Sequence, residues 1–540
     1  MIVYDTEDDS SELLSSGKSG FDKKVTQIAA ITDTGKRFYR RATRGRPINP
    51  LEFLKWCLET GHEDVWAFNA QYDLGNLCNT PRLHVHDFDM TLVKGRFIKA
   101  QVMGLKFYDV HNLSGNGSSI KTLGEAVGLK KLETADMAGD MGYVFRDCQI
   151  PMKWLKFIKG QCEELGIENI PATLGGLCTK AFVALDGQNW FEASDDTASA
   201  LAGARVEIFS TGGRGRIAYT DINSLYPWAM TQNFPTCVEK LDKLQGYGIA
   251  KIDVEVPPMA IAPLPVKDED DRLIFPTGKF GGVWTIHEIL NAVKHGAKVL
   301  KIYWILGSPD GRDYYRDYVQ TMYSNRLASK SEAERLFWKL LMNNLYGRLA
   351  IGGVISRTLM LTDRNKDSGV PFGTKILCDA HMPLPEFTNY LHAAYVLSYA
   401  RLRLFHFLKT VPEKDLIYCD TDSLIFFCRD KPPFPISADL GEMKLEQMGT
   451  FCRPYLPKMY QFGEKYKAKG VPKRKAEEFI KTGRAEYDLP FKLREAINFY
   501  DDGNAKKLSV WRKVIKIRQT EYDRKKQKGN YFLPKRVNML

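Results

Sequence analysis

The stretch LIYCDTDSLIFF, residues 416 to 427, sets two aspartates, Asp420 and Asp422, at the crest of an almost wholly apolar run. Leu416, Ile417 and Tyr418 form one β-prone arm and Leu424 to Phe427 the other, with CDTDS between them, so the stretch predicts a buried hairpin. The two aspartates are two residues apart, which in extended backbone sends both to one side. Like charges there repel unless a cation lies between them. Taken alone, the pair reads equally well as a solvated Asx-type turn.

Two other segments supply what such a pair would need. RIAYTDINSLYPWAM, residues 216 to 230, holds a β-prone run that ends at Asp221 and then turns at Leu225-Tyr226-Pro227. A strand delivering Asp221 beside the hairpin would complete an oxygen-rich cage for hard divalent cations. Two magnesium ions in such a cage clamp the attacking and leaving oxygens of a phosphoryl transfer. In ERLFWKLLMNNLYGRLA, residues 334 to 350, Arg335, Lys339, Asn343 and Tyr346-Gly347 recur on one helical face, with Leu336, Leu340 and Leu341 on the other. Two cations and an amide on one stripe suit a nucleoside triphosphate.

The N-terminal third carries a second acidic set. VYDTE puts Asp5 and Glu7 on one face of a strand, FNAQYD contains Asn69, Tyr72 and Asp73, and YVFRD sets Tyr143 and Asp147 one helical turn apart.

Composition limits the alternatives. The 540 residues suffice for three or four domains, and 77 Lys+Arg against 65 Asp+Glu leave a net charge of +12, which suits a polyanionic partner. Twelve of the basic residues, against two acids, fall within 505 to 536, interleaved with Trp511, Tyr522, Tyr531 and Phe532, the pattern of a folded surface that tracks phosphates. The ten cysteines show neither a CxxC pair nor zinc spacing. No signal segment or apolar span of membrane length is visible, so a reducing, cytoplasmic setting is expected.

DINSLYP, KLLMNNLYG and YCDTDS, in that order, resemble motifs A, B and C of the family B DNA polymerases. Lys458-Met459-Tyr460 in PKMYQF resembles the family's KxY motif, which holds the primer terminus, and Lys467 to Val471 resembles the segment that follows it. The N-terminal acids resemble the Exo I, II and III motifs of the 3′→5′ proofreading domain. Size and motif wording are most similar to the protein-primed phage and linear-plasmid polymerases. Two departures stand out: Leu201 occupies the tyrosine position of the YxGG/A motif in LAGARVEIF, and the interval from 231 to 338 is short for a full first insertion.

The resemblance implies an α/β multidomain fold, an RNase H-like exonuclease domain followed by a right-hand polymerase. The expected parts are an exonuclease domain over 1–167, palm over 168–232 and 385–485, an insertion over 233–312, fingers over 313–350, a hairpin insertion over 351–384 and a thumb over 486–540. It implies metal binding by Asp221 and Asp422, with Asp420 beside them as a weaker partner, and by Asp5, Glu7, Asp73 and Asp147, where Tyr143 would orient the attacking water. Tyr226, Arg335, Lys339, Asn343 and Tyr346 would bind the incoming nucleotide, Tyr226 lying beneath the sugar and excluding ribonucleotides. Arg326 would be a further triphosphate contact or an ordinary surface arginine. Lys458 and Tyr460 would hold the primer, and Asn69, Tyr72 and Ser119 the single strand. The implied cofactor is Mg2+, two per site, with Mn2+ as a substitute. Implied partners are template and primer DNA, dNTPs and a terminal protein, bound by a monomer in the cytoplasm, that of the host if the element is viral. Two alternatives stay open: an exonuclease or single-strand binding protein with a vestigial polymerase site, and a primer-independent polymerase.

Overall fold

A computed structural model describes residues 1–16, 24–78, 82–93, 95–115, 117–133, 141–186, 195–351, 354–381, 387–490 and 511–540. Three sheets organise them, in a multidomain α/β architecture. In the first, the apolar runs Ile2–Asp8 and Val25–Thr32 pair antiparallel, while Asp64–Ala67 and Leu105–Asp109 continue the sheet in parallel. The helix Met141–Glu164 lies across its first two strands. Its face Val144, Cys148, Leu155 and Ile158 is fully buried, and burial of such side chains contributes roughly 1.5–3 kcal/mol each. That packing carries Asp147 to the strand that bears Asp5 and Glu7.

The second sheet contains seven strands in the order Lys465–Ala468, Met459–Phe462, Met443–Leu456, Gly213–Ile222, Ser423–Phe427, Leu416–Asp420 and Val206–Ile208. The hairpin expected from LIYCDTDSLIFF forms here, buried on both arms. The helix Tyr390–Thr410 covers it, with Leu404, Phe405 and Leu408 packed into one core with Leu416, Leu424 and Phe426. A third sheet joins Glu239–Lys240, Lys298–Ser308, Tyr247–Val256, Thr277–Thr285 and Arg536–Asn538.

Residues 354–381 differ in detail from the expected hairpin. Val354–Met360 and Lys375–His381 pair as a hairpin, and Gly369–Phe372 adds a third strand to it. Pro371 is tolerated because this strand is the sheet edge, where no ladder bond is lost. The unit also joins the first sheet: Ser356 and Arg357 stand opposite Leu92 and Thr91. Met90 N donates to Thr358 Oγ1 at 2.7 Å, and Lys375 Nζ reaches Asp89 Oδ1 at 2.7 Å.

The C-terminal basic stretch divides. Residues 505–510 lie outside the described set. Lys525 is not a phosphate-tracking lysine: it is buried over the Phe209 ring at 3.9 Å, and its Nζ lies 3.1 Å from Glu207 Oε1. Glu207 also receives the buried Arg205, at 2.5 Å. Phe532 N donates to Phe209 O at 2.9 Å, so residues 525–534 clasp the end of the second sheet's edge strand.

A second buried ion pair fixes the segment that enters that sheet. Arg401 and Glu288, 4% and 2% exposed, meet at 2.7 Å. Arg401 Nη1 also donates to Ala202 O at 2.5 Å and Gly203 O at 2.9 Å. Removing one partner of such a pair leaves an uncompensated buried charge. Arg401→Met should therefore cost about 3–5 kcal/mol, seen as a lower thermal midpoint, and Arg401→Met with Glu288→Met should recover most of it. An unchanged midpoint in the single variant would show that the pair contributes nothing.

Candidate active sites

The site in the second sheet is built by backbone before side chains. Asp420 and Ser423 close the hairpin as a facing pair, leaving Thr421 and Asp422 as its two-residue turn. Thr421 adopts φ +63°, uncommon outside glycine and asparagine. Three bonds hold this turn: Asp422 N to Asp420 O at 2.7 Å, Thr421 N to Arg205 O at 2.8 Å, and Ile222 N to Asp422 O at 2.7 Å. The last ties Asp422 to the residue after Asp221, while Ser423 stands opposite Asp221 across the ladder.

Strand alternation does not hold across the turn, yet Asp420 and Asp422 both line one cleft with Asp221. Asp420 accepts from Lys458 Nζ at 2.5 Å and from Thr421 Oγ1 at 3.1 Å. Burial, then the charge of Asp221 and to a lesser extent that of Asp420, pushes the Asp422 carboxyl up to about 7. Burial also raises Asp221, opposed chiefly by Lys444. Two half-buried carboxylates that resist ionising together are a donor set suited to hard divalent cations. A cleft of about 460 Å³ opens over them, lined also by Tyr219, Lys458, Tyr460 and Lys467. Lys458 N donates to Tyr418 OH at 2.8 Å, and the Tyr460 ring packs 5.3 Å from that of Tyr418.

Tyr226 does not sit in a simple turn: Leu225–Met230 is a short helix that begins after Ser224, at φ +47°. Its ring stacks on Tyr346, centroids 4.8 Å apart and 11° from parallel, which joins the two tyrosines chosen for nucleotide binding. Tyr346 lies on Glu332–Leu349, whose core face is Phe337, Leu341, Leu345 and Leu349, so Leu336 and Leu340 sit only at its margin. Arg335 and Lys339 are exposed and stand apart from the cleft lining; Arg335 pairs with Glu332 at 2.5 Å, and Asn343 donates to Lys339 O at 2.7 Å. Arg326 ends the helix Arg316–Ala328.

The N-terminal site brings ligand atoms of Asp5, Glu7 and Asp147 within 4.8 Å of one another. Asp73 falls outside that trio: it is buried and accepts from Thr6 N at 2.9 Å and Thr6 Oγ1 at 2.7 Å. Burial, then Asp73 and Asp147, raises Asp5; burial, then Asp147, pushes Glu7 up to about 7. Asp5 Oδ2 and Asp147 Oδ1 are buried without hydrogen-bond partners, the arrangement a cation would satisfy. Tyr143 stands one turn before Asp147, and burial raises its phenol.

The positions chosen for single-strand contact have partners within the chain. Tyr72 donates to Asp8 Oδ2 at 2.6 Å, Asn69 at φ +67° donates its N–H to Asp109 Oδ1 at 2.8 Å, and Ser119 Oγ caps the helix Ile120–Ala126. Sequence reasoning missed Lys131, whose Nζ lies 2.6 Å from Asp147 Oδ2 and 5.0 Å from the Tyr143 ring. It also missed Lys444, which faces Asp221. Neither stands in a motif; only the pairing of distant segments reveals them.

With this geometry in hand, comparisons place the chain among known proteins. The family described as DNA polymerase type B, organellar and viral, matches residues 195–368. A probable DNA polymerase of Neurospora intermedia is 27% identical over 331 residues, 55% of this chain and 33% of the relative. The primer-independent DNA polymerase PolB of Escherichia coli is 23% identical over 396 residues, 60% of this chain and 44% of the relative. The chain thus spans a third to somewhat under half the length of these relatives. In fold it is similar to phi29 DNA polymerase complexed with primer-template DNA and incoming nucleotides, with TM-score 0.70 and 13% identity over 96% of this chain and 99% of that one. The single-stranded DNA complex of phi29 polymerase gives TM-score 0.68 at 14% identity, over 91% and 96%. The resemblance to the family B DNA polymerases, read first from the order of three short motifs, is borne out by family, relatives and fold alike.

Proposed function

We propose that the chain is a DNA-directed DNA polymerase with a 3′→5′ proofreading exonuclease, serving the replication of a phage or other mobile element in the cytoplasm. The observation that carries this is the pairing of Asp221 with Asp422 by the Ile222 to Asp422 backbone bond, inside a cleft edged by Lys458 and Lys467. A separate carboxylate trio, two on a strand of another sheet and one on the helix that lies across it, supports the second activity.

In the palm, Asp221 and Asp422 would hold two Mg2+ ions, which supply charge neutralisation and a more acidic primer hydroxyl. Lys458 and Tyr460 would seat the primer end. The stacked Tyr226 and Tyr346 would form the floor under the incoming deoxyribose, so a 2′-hydroxyl would collide with the Tyr226 ring. Lys339 and Arg335, exposed on their helix, would meet the triphosphate on closure of that helix over the cleft. In the N-terminal site, Asp5, Glu7 and Asp147 would hold the ions, with Asp73 bracing Thr6 between Asp5 and Glu7, and Tyr143 would orient the attacking water. Template, primer and dNTPs are the partners of a monomer, with a terminal protein as the partner for initiation. Initiation without a primer is the second reading, favoured by the name of the Escherichia coli relative.

The sheet shared by residues 354–381 and the N-terminal strands supports a closed path for the template. A channel too narrow for duplex would convert each translocation into strand separation, where melting a pair costs roughly 1–2 kcal/mol.

Three outcomes test this reading. Asp422→Asn should abolish primer extension while sparing single-strand degradation, and Asp5→Ala with Asp73→Ala should do the reverse; loss of both activities from either change in a folded chain would refute two independent sites. Tyr226→Ala should raise ribonucleotide relative to deoxyribonucleotide incorporation at constant Mg2+, and an unchanged ratio would move the sugar gate elsewhere. Replacing Arg364 to Gly373 with a Gly/Ser linker should leave single-nucleotide addition near normal but shorten products and stall the enzyme at downstream duplex. Unaltered product length under a polymerase trap would make the segment a connector only.

A further inference from the structure

Tyr219 lines the cleft two residues before Asp221, on the strand Gly213–Ile222 and ahead of the DINSLYP motif. Ala218, Thr220 and Ile222 are buried while Tyr219 and Asp221 are half-buried, so strand alternation sends the phenol and the carboxylate to one face. Two residues along a strand span about 7 Å. Over that step the cleft wall changes from carboxylates to aromatic rings. The Tyr219 hydroxyl oxygen lies 3.5 Å from that of Tyr460, and its ring packs 5.7 Å from that of Phe462. Lys467 Nζ stands 5.9 Å from the Tyr219 ring and 5.5 Å from the Tyr460 ring, close enough to attract both. Tyr460 and Lys467 are themselves cross-strand partners. Burial raises both phenols, so each keeps its proton at neutral pH.

We propose that Tyr219 is a positioning residue for the primer terminus, holding the Tyr460 hydroxyl in place through the contact of the two phenols; this rests on the reading of Tyr460 as a primer contact. Each hydroxyl has one proton and two lone pairs, so the pair shares one proton between its oxygens and presents the other to the cleft. An acceptor on the primer strand meets that second proton. Contacts of this kind are often long without substrate and tighten when it binds, which suits a separation of 3.5 Å. Because Tyr219 and Asp221 share one strand, the backbone fixes the distance from the primer seat to the carboxylates. Loss of the Tyr219 hydroxyl frees Tyr460 to turn, and the loosened terminus leaves for the N-terminal site more often.

Two measurements on the intact chain test this. Primer-template dissociation is read with Asp5→Asn and Glu7→Gln in the background, which silence degradation. There Tyr219→Phe, which keeps the ring and its packing on Phe462, should raise the dissociation constant by about two- to fivefold, the scale of one hydrogen bond. The double variant with Tyr460→Phe should match Tyr460→Phe alone. With degradation intact, Tyr219→Phe should raise the dNTP concentration at which extension of a paired primer balances its degradation. A merely structural defect lowers both activities together and does not move that balance. Additive effects in the double variant mean that Tyr219 touches DNA itself and overturn the positioning role. An unchanged dissociation constant, or an unmoved balance, overturns the inference alone. Primer binding indifferent to Tyr460→Phe overturns the primer reading of Tyr460 and the inference with it.

Discussion

The hydrogen bond from Ile222 N to Asp422 O governs the carboxylate site of the second sheet. Asp221 and Asp422 repel each other and both lose solvation, so side-chain energetics alone would drive them apart. The backbone prevents this: Asp221 lies near the end of its strand with a paired strand on either side, and the turn holding Asp422 is bonded to that strand on one side and to Arg205 O on the other. Behind Arg205, its buried ion pair with Glu207 and the clasp of Lys525 stiffen the edge strand. The repulsion is thus held in place by ladder bonds and packing remote from the cleft.

Such a site opposes stability. The folded carboxyl of Asp422 lies near 7, above its unfolded value, so the stabilisation linked to its protonation is present at low pH and is lost as pH rises through about 7. Lysines moderate the same conflict locally: Lys458 on Asp420, Lys444 on Asp221 and Lys131 on Asp147. Each places one positive charge on a carboxylate that a divalent cation would also seek.

The two sites share mechanical parts. The helix Glu332–Leu349, which carries Lys339 and Tyr346, sets Phe337 edge-on to Phe157 at 5.7 Å. Its Leu340 lies so near Gly115 that a Cβ there would come within 2.5 Å of Leu340 Cδ2. Gly115 has φ +86°, so this close approach and this backbone both require glycine. Displacement of the helix is therefore felt next to Ser119, and the strand pairing of residues 354–381 with the first sheet adds a second link.

Local sequence determined the hairpin of residues 416–427, the strand ending at Asp221, the helix of Arg335 to Tyr346 and the turn-spaced Tyr143 and Asp147, because each rests on periodicity or turn chemistry within about fifteen residues. It also made the family resemblance legible, since the motifs are short and ordered. Tertiary structure alone decided which carboxylates meet. Asp73 turned to Thr6 and Asp420 to Lys458, because their partners lie 67 and 38 residues away and no local pattern encodes them. The same holds for the strand at Gly369–Phe372, which forms despite Pro371 because a partner strand offers an edge, and for Lys525, whose charge is spent on Glu207 and not on solvent or phosphate. Pairing across hundreds of residues is selected by the whole packed chain, so these contacts follow from the assembled sheets and not from any stretch of sequence read by itself.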